Sequence, residues 1–334
     1  MKAVRMHAFG GPEVLRYETV PDPQPAAGEV LVRVRGAGVN HLDIWLRRGV
    51  RRRFPLPFVL GSDIAGEVVR DGGRWAAGQR VVAYPATSCG ACAACLRGEE
   101  SVCAGYRAIA NGYAELTTVP EGNLHPLPDA LSFEEGAALP IAYLTAWRMV
   151  VTKAAIAPGD AVVVMGAAGG VGTACVQLAA ARGARVLAGV SSDAKRAHVL
   201  AVGADETFDY SCEPLTAALE RWLGTPEAPI ILDHVGQNVW EACIAALARG
   251  GRFVTCGYTT GPEARLSLAD LSGRELTMAG VIMGSRREFA DLLRYVTTGR
   301  VKPVIGALLP LSAASAAHTR LERREALGKI VLIP

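Results

Sequence analysis

A strand, a glycine cluster and a helix follow one another over residues 160–180, and this stretch constrains the fold more than any other. Residues 161–165 are continuously apolar and mostly β-branched, which is typical of a parallel strand buried on both faces. Glycines end the strand, and the apolar residues beyond them recur at helical spacing. The stretch therefore predicts a buried strand, a tight turn and a helix in that order.

The glycine turn has the spacing of a nucleotide-binding turn. Its pattern is Ala167-x-Gly169-x-x-Gly172, so an alanine replaces the first glycine of the usual motif, and Gly166 precedes it. Glycines permit a sharp turn and let a pyrophosphate approach without meeting a Cβ, and the helix directs free N–H groups at the phosphate. We predict a dinucleotide here; a glycine-rich turn without a ligand is the alternative. The residues assigned to it are Ala167, Gly169, Gly170, Val171 and Gly172.

Strand and helix patterns alternate from about residue 134 onward. We expect strands at 161–166, 185–190, 206–209, 229–233 and 251–256, and helices at 134–151, 171–183, 193–202, 213–223 and 238–248. This alternation predicts an α/β fold with a doubly wound parallel sheet. A final strand at 276–284, an amphipathic helix at 287–299 and a terminal strand at 328–334 complete the pattern, whereas the first part of the chain is all-β with irregular loops.

The bulk properties narrow the class of protein. The chain has 334 residues, which is enough for two domains, and its net charge of +3 is too small to indicate a nucleic-acid or membrane-surface partner. The N-terminus lacks the apolar core of a signal peptide, and no run reaches the roughly 18 apolar residues of a membrane helix. Four of the eight cysteines are clustered and four are scattered, which favours a cytoplasmic chain with one metal site over a disulfide framework.

The clustered cysteines have metal-ligand spacing. Cys89, Cys92 and Cys95 form a CxxCxxC pattern, and Cys103 follows eight residues later. Four thiolates can close a tetrahedron around Zn²⁺, which leaves no open position for catalysis. We predict one structural zinc per chain; an iron–sulfur cluster or an empty, reduced site are the alternatives.

The end of the second strand bears on the choice of nicotinamide cofactor. NAD-specific sites place an acidic residue there to accept from the ribose hydroxyls, but this chain has Val190 or Ser191. Ser192, Lys195 and Arg196 follow, and hydroxyls with cations suit a 2′-phosphate. We therefore predict that Ser191, Ser192 and Lys195 bind NADP(H), with NAD(H) still possible. The alternative is that Ser192 only caps the next helix and Lys195 is solvated.

Further motifs are spread over the whole chain: Gly10-Gly-Pro-Glu-Val-Leu, Val39-Asn-His-Leu-Asp43, Gly61-Ser-Asp-Ile-Ala-Gly66, Leu144-Thr-Ala-Trp147 and Gly328-Lys-Ile-Val-Leu. With the cysteines and the glycine turn, they resemble the medium-chain dehydrogenase/reductase superfamily of zinc alcohol dehydrogenases and quinone oxidoreductases. The resemblance implies a GroES-like β domain over 1–126 with a zinc lobe at about 88–104, and a Rossmann domain over 127–272. Residues 273–334 would complete the Rossmann sheet and return to the first domain.

Departures from the family pattern bear on the reaction. By resemblance, zinc alcohol dehydrogenases have a cysteine at Asn40, a histidine at Ser62 and a second cysteine at about Ile141, so a catalytic zinc is not expected here. Asn40 and Asp43 instead match the Asn-x-x-Asp pattern of quinone oxidoreductase-like reductases. Without a Lewis acid, alcohol oxidation loses its main source of catalysis. Reduction of a polarised C=C bond depends less on a Lewis acid.

The resemblance therefore implies an NADPH-dependent reductase of quinones or α,β-unsaturated carbonyl compounds. Hydrogen-bond donors would stabilise the enolate, with Asn40 the main candidate and Tyr143 or Trp45 as further ones. The residues assigned to catalysis are Asn40, Asp43, Asp63 and Thr145, and those added to the cofactor site are His41, Gly257 and Lys329. Plainer roles stay open: a loop hydrogen bond for Asn40, capping for Asp43, a surface position for His41 and packing for Thr145.

Two other functions remain possible from the sequence. The first is a zinc-type alcohol dehydrogenase that recruits a second metal through His41 and Asp63. The second is an NADPH-binding sensor without turnover. We also predict a homodimer or a dimer of dimers, because the apolar strand at 276–284 would lie at the edge of the sheet.

Overall fold

The computed structural model describes residues 1–50 and 54–334. They form two compact units: Met1–Ala142 with Ser285–Pro334 is the first, and Tyr143–Gly284 is the second. We expected boundaries at 126/127 and 272/273. The first lies later because the helix at Phe133–Ala138 packs on the strands Glu29–Val39 and Asp63–Val68 of the first unit.

Strands outnumber helices in residues 1–50 and 54–142. The strands are β1 (Lys2–Met6), β2 (Leu15–Thr19), β3 (Glu29–Val39), β4 (Phe58–Val59), β5 (Asp63–Val68), β6 (Arg80–Ala83), β7 (Ala86–Thr87), β8 (Arg107–Ala108), β9 (Leu116–Pro120) and β10 (Leu124–Pro126). The α-helices are α1 (His41–Arg48), α2 (Ala93–Leu96) and α3 (Phe133–Ala138). Single 3₁₀ turns lie at Pro12–Val14, Glu100–Val102 and Glu121–Asn123.

The second unit alternates strands and helices. The strands are β11 (Ala161–Val164), β12 (Arg185–Val190), β13 (Glu206–Asp209), β14 (Ala228–Asp233), β15 (Leu247–Thr255) and β16 (Thr277–Gly280). The helices are α4 (Leu144–Trp147), α5 (Gly170–Ala181), α6 (Asp193–Ala201), α7 (Leu215–Leu223), α8 (Gln237–Ala245) and α9 (Leu268–Gly273). The strands are all parallel in the order β13-β12-β11-β14-β15-β16. This confirms the predicted doubly wound sheet.

The last part of the chain returns to the first unit. It contains α10 (Arg286–Val296), β17 (Ile305–Pro310), a 3₁₀ turn (Leu311–Ala313), α11 (Ala314–Glu322) and β18 (Lys329–Ile333). The main sheet of this unit has the order β10-β6-β5-β3-β18-β17, with β9 also paired to β3, and β2, β1 and β4 form a smaller sheet.

The register of β3 brings distant residues together. β3 is antiparallel both to β5 and to β18, and Gly38 is opposite Asp63 on one side and Val331 on the other. The end of β3 and the starts of β5 and β18 therefore meet beside Asn40. Gly38 is required at this crowded position, because a Cβ there would lie 2.7 Å from the Asp63 carboxylate and 2.4 Å from the Ala137 carbonyl oxygen.

The predicted helix at 134–151 has an irregular form. α3 is followed by a π-helical turn at Leu139–Tyr143, by α4, and by a second π-helical stretch at Arg148–Lys153. Pro140 has no N–H to donate, which disfavours regular α-helical pairing in the first of these turns. Within the described residues, no helix is long and apolar enough to cross a lipid bilayer.

Candidate functional site

The glycine turn forms the N-terminus of α5. Gly166 has a φ of +62°, and Gly169 is the N-cap residue, so no side chain caps the first turn of the helix. A Cβ on Gly172 would lie 2.5 Å from the carbonyl oxygen of Gly166. Gly170 and Val171 are partly exposed. The turn thus offers the uncapped helix terminus that an anionic phosphate group needs.

The loop after β14 approaches the same turn, and the sequence analysis missed it. A Cβ on Gly166 would lie 3.1 Å from Nε2 of His234, and a Cβ on Gly257 would lie 2.8 Å from the His234 carbonyl oxygen. Asp233 holds this loop, since its carboxylate accepts from the N–H groups of Val235 and Gly236. Gly257 is therefore needed for close packing. His234 could have been found from its position at the carboxyl end of a parallel strand, where ligands bind in folds of this kind.

Hydroxyls and cations gather at the end of β12. Val190 is buried, and Lys195 Nζ donates to Ser191 Oγ at 3.0 Å. Ser192 occupies the N-cap position of α6, but its hydroxyl accepts no capping hydrogen bond. Arg196 donates to Thr207 Oγ1 at 3.1 Å and pairs with Asp193 at 3.6 Å. The groups predicted to bind a 2′-phosphate are thus adjacent to one another.

In the first unit, Asn40, Asp63 and Lys329 form a closed, buried cluster. Lys329 is 3% exposed, and its Nζ donates to Asn40 Oδ1 at 2.6 Å, to Asp63 Oδ2 at 2.9 Å and to the Val39 carbonyl oxygen at 3.0 Å. An ammonium group has three protons, so all three are committed. The predicted contact of Lys329 with a cofactor stays a prediction, and it would require these bonds to be given up.

Asn40 and Asp63 complete the cluster. Asn40 Nδ2 donates to Asp63 Oδ2 at 2.9 Å, and its other partner among the described residues is the carbonyl oxygen of Gly38, at 3.4 Å. Asp63 Oδ1 accepts from the backbone N–H of Ile141 at 2.8 Å. The buried carboxylate is therefore matched by one cation and two neutral donors, as a buried charge requires.

Asp43 is fully buried beside this cluster. Its Oδ2 accepts from the Asn40 N–H at 2.8 Å and from the Tyr113 hydroxyl at 3.2 Å, and its Oδ1 accepts from the Gly61 N–H at 3.2 Å. Burial raises the pKa of Asp43 to about 7; the Asn40 N–H acts in the opposite direction, and the negative charge of Asp63 adds to the rise. Asp43 thus joins the start of α1 to the loop before β5.

The network continues outward from Asp43 through residues that the sequence analysis did not identify. Tyr113 Oη lies 3.2 Å from His318 Nε2, and His318 Nδ1 lies 3.0 Å from Arg47 Nη1. Because arginine can only donate, His318 Nδ1 accepts, so Nε2 carries the proton and donates to Tyr113. Burial lowers the pKa of His318 to about 3, and the Arg47 charge adds to this. Arg47 also pairs with Glu322 at 2.5 Å.

The positions of the missing zinc ligands have other roles. Ser62 donates its hydroxyl to the Ile109 carbonyl oxygen at 2.6 Å, and Ile141 contributes only its backbone N–H. Burial lowers the pKa of His41 to about 4, with the Arg324 and Lys329 charges adding to the effect, so His41 is uncharged at neutral pH. Over residues 1–50 and 54–334, the only group of three or more His, Cys, Asp and Glu side chains placed to hold a metal is the cysteine cluster. The side chains at the three expected ligand positions, Asn40, Ser62 and Ile141, do not fit a catalytic zinc.

Thr145 and Tyr143 lie in the second unit. Thr145 is 5% exposed in α4, and its predicted place against the nicotinamide stays a prediction. Tyr143 is 1% exposed and donates its hydroxyl to Gln177 Oε1 at 2.9 Å. That bond ties the start of α4 to α5, and a role for Tyr143 as a substrate donor stays a prediction.

The four cysteines do form a compact sulfur cluster. The Sγ atoms of Cys89 and Cys95, Cys92 and Cys95, and Cys89 and Cys103 are 3.8, 3.6 and 3.5 Å apart. Zinc–sulfur bonds of about 2.3 Å in a tetrahedron place sulfurs about 3.8 Å apart, so the spacing fits Zn²⁺. Backbone N–H groups of Ala91 and Cys92 lower the pKa of the Cys89 thiol to about 6.

Comparisons with known proteins match both units. A family described as zinc-binding dehydrogenase matches residues 170–298, and an alcohol dehydrogenase GroES-like domain matches residues 26–129. The quinone oxidoreductase of Mus musculus is 33% identical, with 100% of this chain and 98% of that protein covered. A solved structure named NAD-dependent alcohol dehydrogenase is 43% identical, with a TM-score of 0.95 and 100% of both chains covered. A mycobacterial structure complexed with NADPH is 28% identical, with a TM-score of 0.86 and 100% of both chains covered.

The quinone oxidoreductase and the alcohol dehydrogenase structure each match over the whole chain. The comparisons also confirm that a GroES-like domain accompanies the Rossmann sheet. The chain therefore belongs to the medium-chain dehydrogenase/reductase superfamily and is an NAD(P)H-dependent oxidoreductase.

Proposed function

We propose that the enzyme reduces quinones or α,β-unsaturated carbonyl compounds without a catalytic zinc. The observation that carries the proposal is the closed cluster of Asn40, Asp63 and Lys329, in which Asn40, at one of the family's zinc-ligand positions, is engaged in internal hydrogen bonds. None of these three side chains supplies the cysteine or histidine ligand that a catalytic zinc ordinarily uses. The similarity to quinone oxidoreductases points in the same direction.

When bound, the reduced nicotinamide supplies a hydride to the electrophilic carbon. Asn40 then has the task of stabilising the negative charge that develops on the substrate oxygen. One of its two Nδ2 protons is committed to Asp63, and the other has a 3.4 Å contact with the Gly38 carbonyl oxygen. That second proton is the donor that the substrate oxygen would take over. Asp43 holds the Asn40 backbone, and so fixes where the amide stands.

A substrate panel tests this function. Quinones, enals and enoyl thioesters are each supplied with NADPH, and its consumption is followed by absorbance, with alcohols plus NADP⁺ as the comparison. We expect turnover with at least one C=C or quinone substrate and little alcohol oxidation. Alcohol dehydrogenase activity is the second candidate, because the 43% identical structure carries that name. Metal analysis separates the two: one zinc per chain supports the reductase, and two support the alcohol dehydrogenase.

We also propose that the cofactor is NADPH rather than NADH. A 2′-phosphate carries about −1.5 to −2 charges at neutral pH. One charge-assisted hydrogen bond contributes about 1.5–3 kcal/mol, or about 10- to 150-fold in affinity. Lys195 is partly exposed, so solvent screens its charge. We therefore expect Lys195→Ala to raise the Kd of NADPH by about tenfold, at the lower end of that range. The Kd of NADH should hardly change.

The ratio of the two dissociation constants, measured at low and at high salt, decides this point. The NADPH-bound neighbour supports the preference, whereas the neighbour named NAD-dependent weighs against it. A ratio near one, or tighter binding of NADH, would contradict the preference. Asp193, which is fully exposed and only loosely paired with Arg196, would then be the group that accepts from the ribose hydroxyls.

Three further properties are proposed. The sulfur spacing supports a structural zinc at Cys89, Cys92, Cys95 and Cys103. The short strand β16 pairs only with β15 within the described residues, which supports dimerisation through that edge. A cytoplasmic location rests on the cysteine usage alone.

A further inference from the structure

Lys329 and Asp63 together determine which way the amide of Asn40 is turned. An ammonium group can only donate, so the 2.6 Å contact requires that Asn40 present its carbonyl oxygen to Lys329. The NH₂ group must then lie on the opposite side, where it donates to Asp63 at 2.9 Å. The carboxylate of Asp63 can only accept, so the cation and the carboxylate favour the same orientation of the amide, and an apolar residue at position 329 would remove the partner that engages the amide oxygen.

The charge on Lys329 also acts through the amide. A cation bonded to the amide oxygen draws electron density from the nitrogen, and hydrogen bonds in such a chain strengthen one another in a low-dielectric interior. The weakly engaged proton of Asn40 Nδ2 therefore becomes a better donor. Lys329 itself, at 3% exposure and with three acceptors, has no proton left for a substrate.

We propose that Lys329 is a positioning residue of the reaction: its ammonium group orients and polarises the Asn40 amide, so that Asn40 donates to the substrate oxygen. The inference rests on the proposed reductase function and names a residue that supports the donor. It differs from the expectation that Lys329 binds the cofactor, because the two roles predict losses in different kinetic constants.

The first experiment compares Lys329→Met with wild type. Removing one donor to a developing oxyanion lowers kcat by about 10²- to 10³-fold in well-studied cases. Lys329 acts indirectly, and we expect kcat for the best panel substrate to fall at least about tenfold at saturating NADPH, with the Kd of NADPH changed less than about twofold. A raised Kd with an unchanged kcat would overturn the proposal and support a contact with the cofactor instead. Lys302→Met removes a surface cation paired with Glu135 and is the matched control.

A second variant separates positioning from stability. Lys329→Met alone leaves the buried Asp63 carboxylate without its cation, which destabilises the protein. The double variant Asp63→Asn, Lys329→Met is neutral at both positions, and we expect its melting temperature to return close to that of wild type. Its kcat should stay low, because the two replacement side chains no longer define the direction of the Asn40 amide. Recovery of kcat together with stability would overturn the proposal, since Lys329 would then only balance Asp63.

A double-mutant cycle tests whether the effect passes through Asn40. In an Asn40→Ala background, Lys329→Met should lower kcat little further, because the amide on which it acts is gone. Losses that multiply would show that Lys329 acts by another route and would overturn the proposal. Wild-type turnover on the panel tests the proposed function by itself, whereas these comparisons with wild type test the role of Lys329.

Discussion

The stability of the protein should depend on pH through Asp43. Its carboxyl is fully buried, and its pKa is raised from 3.8 to about 7, mainly by burial. The folded protein therefore holds this proton over a range in which the unfolded chain has lost it, and stability falls as pH rises through that range. A shift of about 3 units at about 1.36 kcal/mol per unit gives about 4 kcal/mol between pH 4 and pH 8.

The test compares wild type with Asp43→Asn by urea unfolding at several pH values. The amide in the variant cannot ionise, so the free energy of unfolding of wild type minus that of the variant should fall with pH, most steeply between about pH 4 and pH 7. The fully exposed Asp129 provides a matched control through Asp129→Asn. A difference that is flat or rises with pH would refute the reasoning. It would mean that the donors from Asn40, Gly61 and Tyr113 outweigh the effect of burial.

Three further predictions follow from the described contacts. Cys92→Ser should lower both zinc content and melting temperature; if purified wild type contains no zinc and chelators leave its melting temperature unchanged, the structural zinc is wrong. Gly172→Ala should weaken NADPH binding and lower stability, because its Cβ would meet the Gly166 carbonyl oxygen at 2.5 Å, whereas Gly273→Ala, with nothing within 4 Å, should do neither. Light scattering at micromolar concentration should give the mass of a dimer or tetramer, and a monomer would count against pairing through β16.

The second unit could be predicted closely from the sequence. Its strands are short apolar runs buried on both faces, and its helices have clear apolar periodicity, so each pattern is local. The predicted strand at 185–190 matches Arg185–Val190, and the predicted helix at 171–183 matches Gly170–Ala181 to within two residues. The predicted strand at 276–284 matched less well, since the structure has a strand only at Thr277–Gly280.

The candidate site in the first unit could be predicted only in part. Asn40, Asp43 and Asp63 were identified from motifs, but their partners Lys329 and Tyr113 are far away in the sequence. Lys329 lies 289 residues from Asn40, and only the pairing of β18 with β3 brings them together. No local pattern encodes that register. His318 was missed for the same reason, since a lone histidine in a helix carries no sign of the buried partners it will have.

The residues at the family's zinc-ligand positions link the sequence most directly to the proposed reaction. The sequence shows that the family's zinc ligands are missing at Asn40, Ser62 and Ile141, but it does not show what replaces the charge of the ion. In the structure, Lys329 pairs with the Asp63 carboxylate, and under the proposed function no metal ion stands there to depress the pKa of an alcohol. A conjugated carbonyl compound does not need that step, because the negative charge forms on oxygen only as the hydride arrives. A neutral cluster with one weakly engaged amide proton suits the reduction of a conjugated carbonyl compound. This match is the physical basis of the proposed reductase activity.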